Sequence, residues 1–183
     1  MKTPNLETER LILKRGILGD YIKVYEYDLT RLRNINGEFE YVKLDPEYIS
    51  MLVTTDEDEM LDFIIYLKET NEPIGNITYD RYEKQTNSLE IAYNLHPKYW
   101  KKGYMYEAAL ETMRYVFNNY DFDNIRCGYA EENINSKSLN KKLGFEYRGY
   151  HITHYKRIDK DIKEIETIIS KEKFNELYGN KTK

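Results

Sequence analysis

The chain of 183 residues is 40% hydrophobic and 33% charged, and its formal net charge is −4 at pH 7. This size favours a single domain over residues 1–183, with a core that needs no disulfide or metal to hold it. The weak negative charge argues against a nucleic-acid partner, and no run approaches the 18 apolar residues of a membrane-spanning helix.

The N-terminal half predicts an antiparallel meander with short helices. Met1 to Arg10 is polar and lacks the apolar core of a signal peptide, so a cytoplasmic location is expected. Asp20 is a residue type that caps helix N-termini, and Pro46 is placed to open a second short helix that runs through Leu52. The predicted strands, bounded by turn residues, are Arg10 to Lys14, Asp62 to Lys68, Ile74 to Tyr82 and Leu89 to Leu95.

The C-terminal half changes to a helical period and then returns to strands. Apolar residues recur at helical spacing from Lys102 to Asn119. A shorter helix from Asn133 to Leu143 is closed by Gly144, and Ser170 caps a last helical segment that ends near Tyr178. The predicted strands are Asn124 to Ala130, His151 to Ile158 and Ile162 to Ile169. These elements predict an α+β fold with a largely antiparallel sheet and helices on both faces.

The cysteine and histidine residues predict no metal site. Cys127 is the single cysteine, so no internal disulfide can form, and its place in a strand predicts a small buried residue. The three histidines are scattered along the sequence, without the spacing of metal ligands.

Alternation along the strand Leu89 to Leu95 separates an apolar face from a polar face. The apolar face suits packing beneath the long helix that follows. The polar face, formed by Glu90, Ala92 and Asn94, is too polar for a second core and suits the wall of a cleft.

The loop after this strand predicts a phosphate site. Pro97 ends the strand, and the helix begins near Lys102 or Gly103. The first backbone N–H groups of a helix have no partner within the helix, and together with the helix dipole they attract phosphate. Gly103 lets the backbone approach a ligand closely, and Lys101 and Lys102 add positive charge. On these residues alone, an ordinary loop before a helix is the alternative.

Several motifs together resemble the GNAT-type N-acetyltransferases. Tyr93-Asn-Leu-His-Pro97 and Gly103-Tyr-Met-Tyr-Glu-Ala108 are similar to the family's strand, His-Pro turn and Q/R-x-x-G-x-G/A loop. Glu132 to Phe145 resembles the family helix N-x-x-S that ends in L-G-F. Leu6-Glu-Thr-Glu-Arg-Leu-Ile-Leu13 and Ile74-Gly-Asn-Ile77 resemble two strands of the ribosomal-protein N-acetyltransferase (Rim) branch. The resemblance spans nearly the whole chain.

The resemblance implies a GNAT-like fold, with a mostly antiparallel mixed sheet of about seven strands. It implies direct acetyl transfer from acetyl-CoA to a primary amine, by a monomer or homodimer. The acceptor is a protein N-terminus or a small amine such as an aminoglycoside, polyamine or amino acid. The residues implied in cofactor binding are Asn94, Leu95, Lys101, Lys102, Gly103, Tyr104, Met105, Tyr106, Asn133 and Asn140.

The chain departs from the family pattern at three positions. Trp100 stands where the loop has Gln or Arg, and Met105 stands where it has a second Gly or Ala. Asn140 stands where many members have a tyrosine general acid, and an amide cannot donate a proton in that sense.

Three catalytic tasks follow from the implied chemistry. We assign the base to Glu90, with a surface carboxylate or a salt-bridge partner as its alternative role. The backbone N–H groups of Asn94 and Leu95 are predicted to meet the oxyanion. Ser136 is predicted to protonate the thiolate, or alternatively to cap its helix. Asn133 is predicted to bond the pantetheine amide, or to act as a simple cap.

Two further hypotheses remain. One is an acetyl-CoA-binding module without turnover, and the other is a protein-interaction domain that retains the fold. The segment Arg31 to Asp58 is expected to roof the acceptor cleft. The acidic run Asp56 to Glu59 either attracts a cationic amine or is a solvated charge run.

Overall fold

The computed structural model describes residues 1–25, 60–155 and 159–179. The strands in these ranges are β1 (Leu6–Glu7), β2 (Leu11–Lys14), β3 (Leu61–Leu67), β4 (Pro73–Glu83), β5 (Ser88–Leu95), β6 (Asn124–Ala130), β7 (Glu146–Tyr155) and β8 (Lys160–Ser170). The helices are α1 (Leu18–Tyr25), a 3-10 turn (Pro97–Tyr99), α2 (Tyr104–Asn119), α3 (Ile134–Leu143) and α4 (Lys171–Tyr178). The predicted helix from Pro46 to Leu52, the segment Arg31 to Asp58 and the run Asp56 to Glu59 lie outside the described residues.

The strands form one mixed sheet in the order β1-β2-β3-β4-β5-β6-β8-β7. The predicted α+β fold is therefore confirmed. The described residues contain eight strands rather than about seven, because the two-residue strand β1 pairs with β2. β5 and β6 pair in parallel over Ser88–Glu90 and Asn124–Arg126. A parallel pair needs a long crossover connection, and the segment between these strands contains α2.

Contacts divide the chain into two compact units. Unit 1 comprises Met1–Asp80 and Ala92–Glu111, and unit 2 comprises Arg81–Ile91 and Thr112–Lys183. The prediction of a single domain over residues 1–183 stays a prediction. None of the helices in the described ranges combines the length and the apolar character needed to cross a membrane.

In unit 1, α1 packs on β3 through an apolar side. Tyr21 and Val24 are fully buried in a cluster with Ile64 and Tyr66. The helix begins before the predicted cap: Asp20 lies in its first turn, where its carboxylate accepts the Ile17 N–H at 3.1 Å and the Tyr66 hydroxyl at 2.7 Å. This is the carboxylate half of a capping box, so Asp20 stabilises the helix start from inside the helix.

In unit 2, side-chain caps fix both later helices. Asn133 caps α3 by accepting the Ser136 N–H, and Gly144 ends that helix at a φ of 88°. Ser170 caps α4 by accepting the Lys173 N–H, as predicted. Phe174 of α4 then packs on Phe117 of α2, with ring centroids 5.2 Å apart.

Candidate active site

The loop before α2 has the backbone shape of an anion site. Lys101 and Gly103 both adopt positive φ angles, 60° and 82°. The first bond of the helix runs from the Glu107 N–H to the Gly103 carbonyl at 3.0 Å. The N–H groups of the three preceding residues, Tyr104 to Tyr106, therefore point out of the helix end, where the dipole favours an anion. This geometry suits a phosphate group, and the predicted cofactor-binding role of the loop stays a prediction.

Arg10 braces this loop, and the sequence did not reveal it. Its Nε and Nη2 atoms both lie 2.7 Å from Oε2 of Glu107, and its Nη1 donates to the Lys102 carbonyl at 3.0 Å. Its guanidinium also lies over the Tyr104 ring, 4.4 Å from the centroid. The Arg10 side chain, which immediately precedes β2, thus holds both the start of α2 and the loop before it.

The Glu107 carboxylate accepts three hydrogen bonds and also forms an ion pair with Nη2 of Arg10. Oε1 accepts the Thr8 hydroxyl at 2.6 Å and the Arg10 N–H at 2.9 Å. Burial opposes the negative charge, but these bonds and the Arg10 charge together lower the pKa of Glu107 below its ordinary value. Glu107 therefore links distant segments of unit 1, beyond its local effect on the helix dipole.

The two unusual loop residues have structural partners in unit 1. The Trp100 indole N–H donates to the Leu95 carbonyl at 2.7 Å and so closes the turn after β5. Met105 is only 7% exposed, and its side chain belongs to the buried core. Because the Met105 side chain is buried, it does not cover the backbone groups on the solvent-facing side of the loop.

The end of β5 lies against β4 in unit 1. The His96 N–H donates to the Ile74 carbonyl at 2.8 Å. A Cβ at Gly75 would meet the Asn94 carbonyl at 2.3 Å, so only glycine permits this approach. Asn94 is 5% exposed. The predicted oxyanion role of the Asn94 and Leu95 N–H groups stays a prediction.

Glu90 lies on the polar side of β5, in unit 2, between two arginines. Its Oε1 is 3.3 Å from Nη1 of Arg81, and its Oε2 is 3.4 Å from Nη1 of Arg126. The side chain is 20% exposed and lines a pocket. The salt-bridge role, one of the two alternatives, is therefore realised, and the role as base stays a prediction.

At α3, Asn133 is the cap, Ser136 carries a half-buried hydroxyl and Asn140 has a buried amide. Because Asn133 is the cap, Ser136 does not have that role. The Ser136 side chain is half-buried, and its hydroxyl makes no hydrogen bond within the described residues. The Asn133 side-chain oxygen is taken by the Ser136 N–H, which leaves its NH₂ group to donate to a cofactor carbonyl.

Asn140 is 2% exposed, and its amide is engaged on both sides. Its Nδ2 donates to the Ser136 carbonyl at 3.0 Å and to Cys127 Sγ at 3.5 Å, and its Oδ1 accepts the Thr167 hydroxyl at 2.8 Å. These contacts give Asn140 a structural role, and its predicted contact with the cofactor stays a prediction. Cys127 is 3% exposed, which confirms the predicted small buried residue.

Other charged residues of unit 2 were missed by the sequence analysis. They line the same pocket as Glu90, and the arginines and histidine among them are Arg81, Arg126, Arg148 and His151. Some of their partners are distant along the chain, as for Arg126 and Arg81, which are 45 residues apart, and for Arg148 and Glu83 at 2.9 Å, so no local spacing could have grouped them. Alternation in the strands was the one available signal, since it places such residues on one face.

A mixed sheet whose central strand leads into an anion-accepting helix end defines a protein that binds a phosphate-bearing co-substrate. Comparison with known proteins sharpens this. The family model described as "Acetyltransferase (GNAT) domain" matches residues 20–146. An uncharacterized N-acetyltransferase, p20, of Bacillus licheniformis is 30% identical over 149 residues, which are 79% of this chain and 83% of that protein.

Solved structures share the fold. The ribosomal-protein-S5-alanine acetyltransferase of Vibrio fischeri superposes with a TM-score of 0.75 at 19% identity, covering 93% of this chain and 98% of that one. The spermidine N-acetyltransferase of Vibrio cholerae, in complex with CoA and spermine, gives a TM-score of 0.73 at 17% identity, covering 91% and 99%.

The chain belongs to the GNAT acetyltransferase family. It is an acetyl-CoA-dependent acyltransferase, and acetyl-CoA is its co-substrate.

Proposed function

We propose that this enzyme transfers the acetyl group of acetyl-CoA directly to a primary amine, either of a protein N-terminus or of a small molecule. The observation that carries the proposal is the strand β5, which leads through a glycine loop into α2 and whose polar side presents Glu90. Relatives with different acceptors share this fold: one is named for a ribosomal protein, the other for spermidine. The fold alone therefore does not choose between the acceptors.

The chain's own groups have four roles in this reaction, of which two concern the cofactor phosphates and the acceptor proton. N–H groups of Tyr104 to Tyr106, with Lys101 and Lys102 beside them, hold the cofactor phosphates. Glu90 takes the proton of the acceptor ammonium, since its carboxylate lines a pocket open to solvent.

The remaining groups serve the reacting carbonyl and sulfur. Backbone N–H groups at the end of β5 stabilise the oxyanion that forms when the amine attacks the thioester carbonyl. Ser136 offers its hydroxyl to the departing thiolate, the least demanding step because a thiol has an ordinary pKa near ~8.5.

A second candidate is an acetyl-CoA-binding module without turnover. The buried Asn140 favours it, because its amide is held by Thr167 and Ser136 at the position where many family members carry a tyrosine acid. A cytoplasmic location and a monomeric or dimeric state stay predictions.

One pair of measurements separates these functions. Equilibrium dialysis measures acetyl-CoA binding, and a thiol-release assay on a panel of amines and peptides measures transfer. We expect binding together with CoA release that depends on one class of amine. Binding without release for any amine supports the module, and no binding would exclude both functions.

A further inference from the structure

A pocket of about 120 Å³ opens on the charged side of the sheet in unit 2. Its charged lining balances three guanidinium groups against three carboxylates, with one imidazole: Arg81, Arg126, Arg148, Glu90, Glu164, Glu166 and His151. The volume is well below the roughly 300 to 1,000 Å³ of clefts that enclose drug-sized ligands. The pocket therefore suits a small, doubly charged ligand rather than an aminoglycoside.

The carboxylates on the β7–β8 side form a fixed anionic wall. Nε2 and Nδ1 of His151 lie 2.9 Å and 2.8 Å from carboxylate oxygens of Glu164 and Glu166. Glu164 also accepts the hydroxyls of Thr153 at 2.7 Å and Tyr155 at 2.6 Å. Burial disfavours its charge, but these hydrogen bonds and His151 lower the pKa of Glu164 below its ordinary value. This wall attracts a ligand ammonium.

Two of the three arginines, Arg126 and Arg148, form hydrogen bonds or ion pairs within unit 2. Arg126 is 16% exposed, and it donates to the Ser88 hydroxyl at 2.9 Å and to the Arg81 carbonyl at 2.5 Å. Arg148 lies 2.9 Å from Glu83 and is 28% exposed. Both serve to hold the strands and their carboxylates in place.

Arg81 differs from these two arginines. Its side chain is 73% exposed, and its contact in the described residues is the one with Glu90 at 3.3 Å. Its backbone adopts a φ of 49°, an unusual angle for a residue with a side chain, and the Arg126 guanidinium holds its carbonyl there. A guanidinium presented this way at the mouth of a pocket is suited to bidentate binding of a ligand carboxylate.

We infer that this pocket binds the acceptor as a small amino carboxylate, with Arg81 on the carboxylate and Glu90 facing the amine. The inference rests on the proposed function. A polyamine would place several positive charges beside three guanidinium groups. An amino acid instead offers a carboxylate to the arginines and an ammonium to the glutamates of the pocket. In the transfer, the acceptor ammonium gives one proton to Glu90, and the neutral amine nitrogen forms a bond to the acetyl carbon. The carbon–sulfur bond then breaks, and the leaving CoA thiolate takes up the second proton, which the nitrogen loses as the amide forms.

Matched acceptors test this in the full chain at saturating acetyl-CoA. The pairs are L-lysine with cadaverine, which lacks the carboxylate, and L-alanine with L-alaninamide. We expect the carboxylate-bearing member of each pair to show a kcat/KM higher by roughly tenfold or more. A preference for cadaverine and alaninamide, or equal rates, would overturn the inference.

The Arg81→Asn variant tests the residue itself. Asparagine tolerates a positive φ, so the exchange removes the guanidinium without straining the backbone. We expect the carboxylate preference to fall by about tenfold through KM, with Arg81→Lys retaining part of it. Lys84→Asn, an exposed change on the same hairpin outside the pocket, should retain all of it. An unchanged preference, or a change confined to the KM of acetyl-CoA, would overturn the assignment.

Failure of the proposed acetyl transfer can be distinguished from failure of the proposed ligand pocket. If acetyl-CoA binds but no amine is acetylated, the proposed transfer fails while the pocket is still tested by calorimetry. L-Lysine binding to the CoA-bound protein, weakened by Arg81→Asn, would support the pocket. The lack of any such binding would overturn it.

Discussion

The Arg10 guanidinium holds the Glu107 carboxylate through Nε and Nη2, both 2.7 Å from Oε2. The same guanidinium reaches the Lys102 carbonyl, so this ion pair connects the N-terminal segment to the loop before α2. The Arg10 side chain is 42% exposed and Glu107 18% exposed, so solvent screens the attraction only in part. Its main effect is geometric, because it holds the Lys102 carbonyl and the start of α2 together.

Glu107→Gln is expected to loosen the loop. The amide keeps the size of the side chain but loses the charge that orders Arg10. We expect the Kd for acetyl-CoA to rise by roughly tenfold, or about 1.4 kcal/mol, measured by calorimetry. Because the pKa of Glu107 is lowered, its contribution to stability is present above its unfolded pKa and is lost as the pH falls through its folded pKa. Unaltered acetyl-CoA affinity in the variant would show that the brace does not serve the site.

Gly103→Val is expected to weaken acetyl-CoA binding strongly. The residue has a φ of 82°, which β-branched side chains rarely adopt, and a Cβ there lies 3.4 Å from Nη2 of Arg10. Gly19→Ala is the matched control in unit 1, since a Cβ at Gly19 meets nothing within 4 Å. Equilibrium dialysis should separate the two variants, and normal binding by Gly103→Val would place the phosphates elsewhere.

Asn140→Tyr is expected to lower stability without raising turnover. The position is 2% exposed and its amide bridges Thr167 and Ser136, so a larger ring overpacks the site and breaks both bonds. We expect a loss of about 2 kcal/mol or more in urea unfolding. Asn135→Tyr, an exposed change on the same helix, should leave stability near the wild-type value. Faster turnover in Asn140→Tyr would show that the missing tyrosine acid limits the reaction.

Asp62 is expected to make the free energy of unfolding depend on pH. It is fully buried, 3.7 Å from Arg15, and burial raises its pKa to about 7 despite the opposing Arg15 charge. A raised folded-state pKa gives stability that is present below the unfolded pKa and lost as the pH rises toward 7. The free energy of unfolding should therefore fall by roughly 2–3 kcal/mol between pH 5 and pH 8.

Asp62→Asn removes the titrating group and should flatten this slope, as urea unfolding at both pH values would show. Asp121→Asn, which changes an exposed carboxylate, should keep it. A wild-type slope that survives in Asp62→Asn would assign the pH dependence to another group.

Local sequence patterns predicted the bounds of a strand or helix well where one face of that element is buried and the other is exposed. β6 and α4 end where alternation and capping residues indicated, because one face of each is buried. The start of β7 was placed at His151 rather than Glu146. Nearly all of its residues are exposed, and its register shifts between Tyr147 and Gly149, so its sequence carries no alternation.

The site was predictable only in part, for a related reason. The loop before α2, which includes Gly103, is one continuous segment of the sequence. Its local conformation could therefore be predicted from neighbouring residues. Arg10 and Glu107 are 97 residues apart, and Glu90 and Arg126 are 36 apart. Such pairs form only once the strands are aligned, and residue types alone do not specify which charges will meet.

A single-turnover reaction with labelled acetyl-CoA distinguishes direct transfer to the amine from transfer through an acetylated protein. Cys127, the single cysteine, is 3% exposed, contacts Asn140 and lines the pocket of unit 2, so it is the residue to examine for an acetyl label. With an acceptor amine, we expect acetylated amine and free CoA to appear in equal amounts, with no label on the protein by intact mass. An acetylated protein intermediate, or label released as acetate without acetylated amine, would contradict direct acetyl transfer.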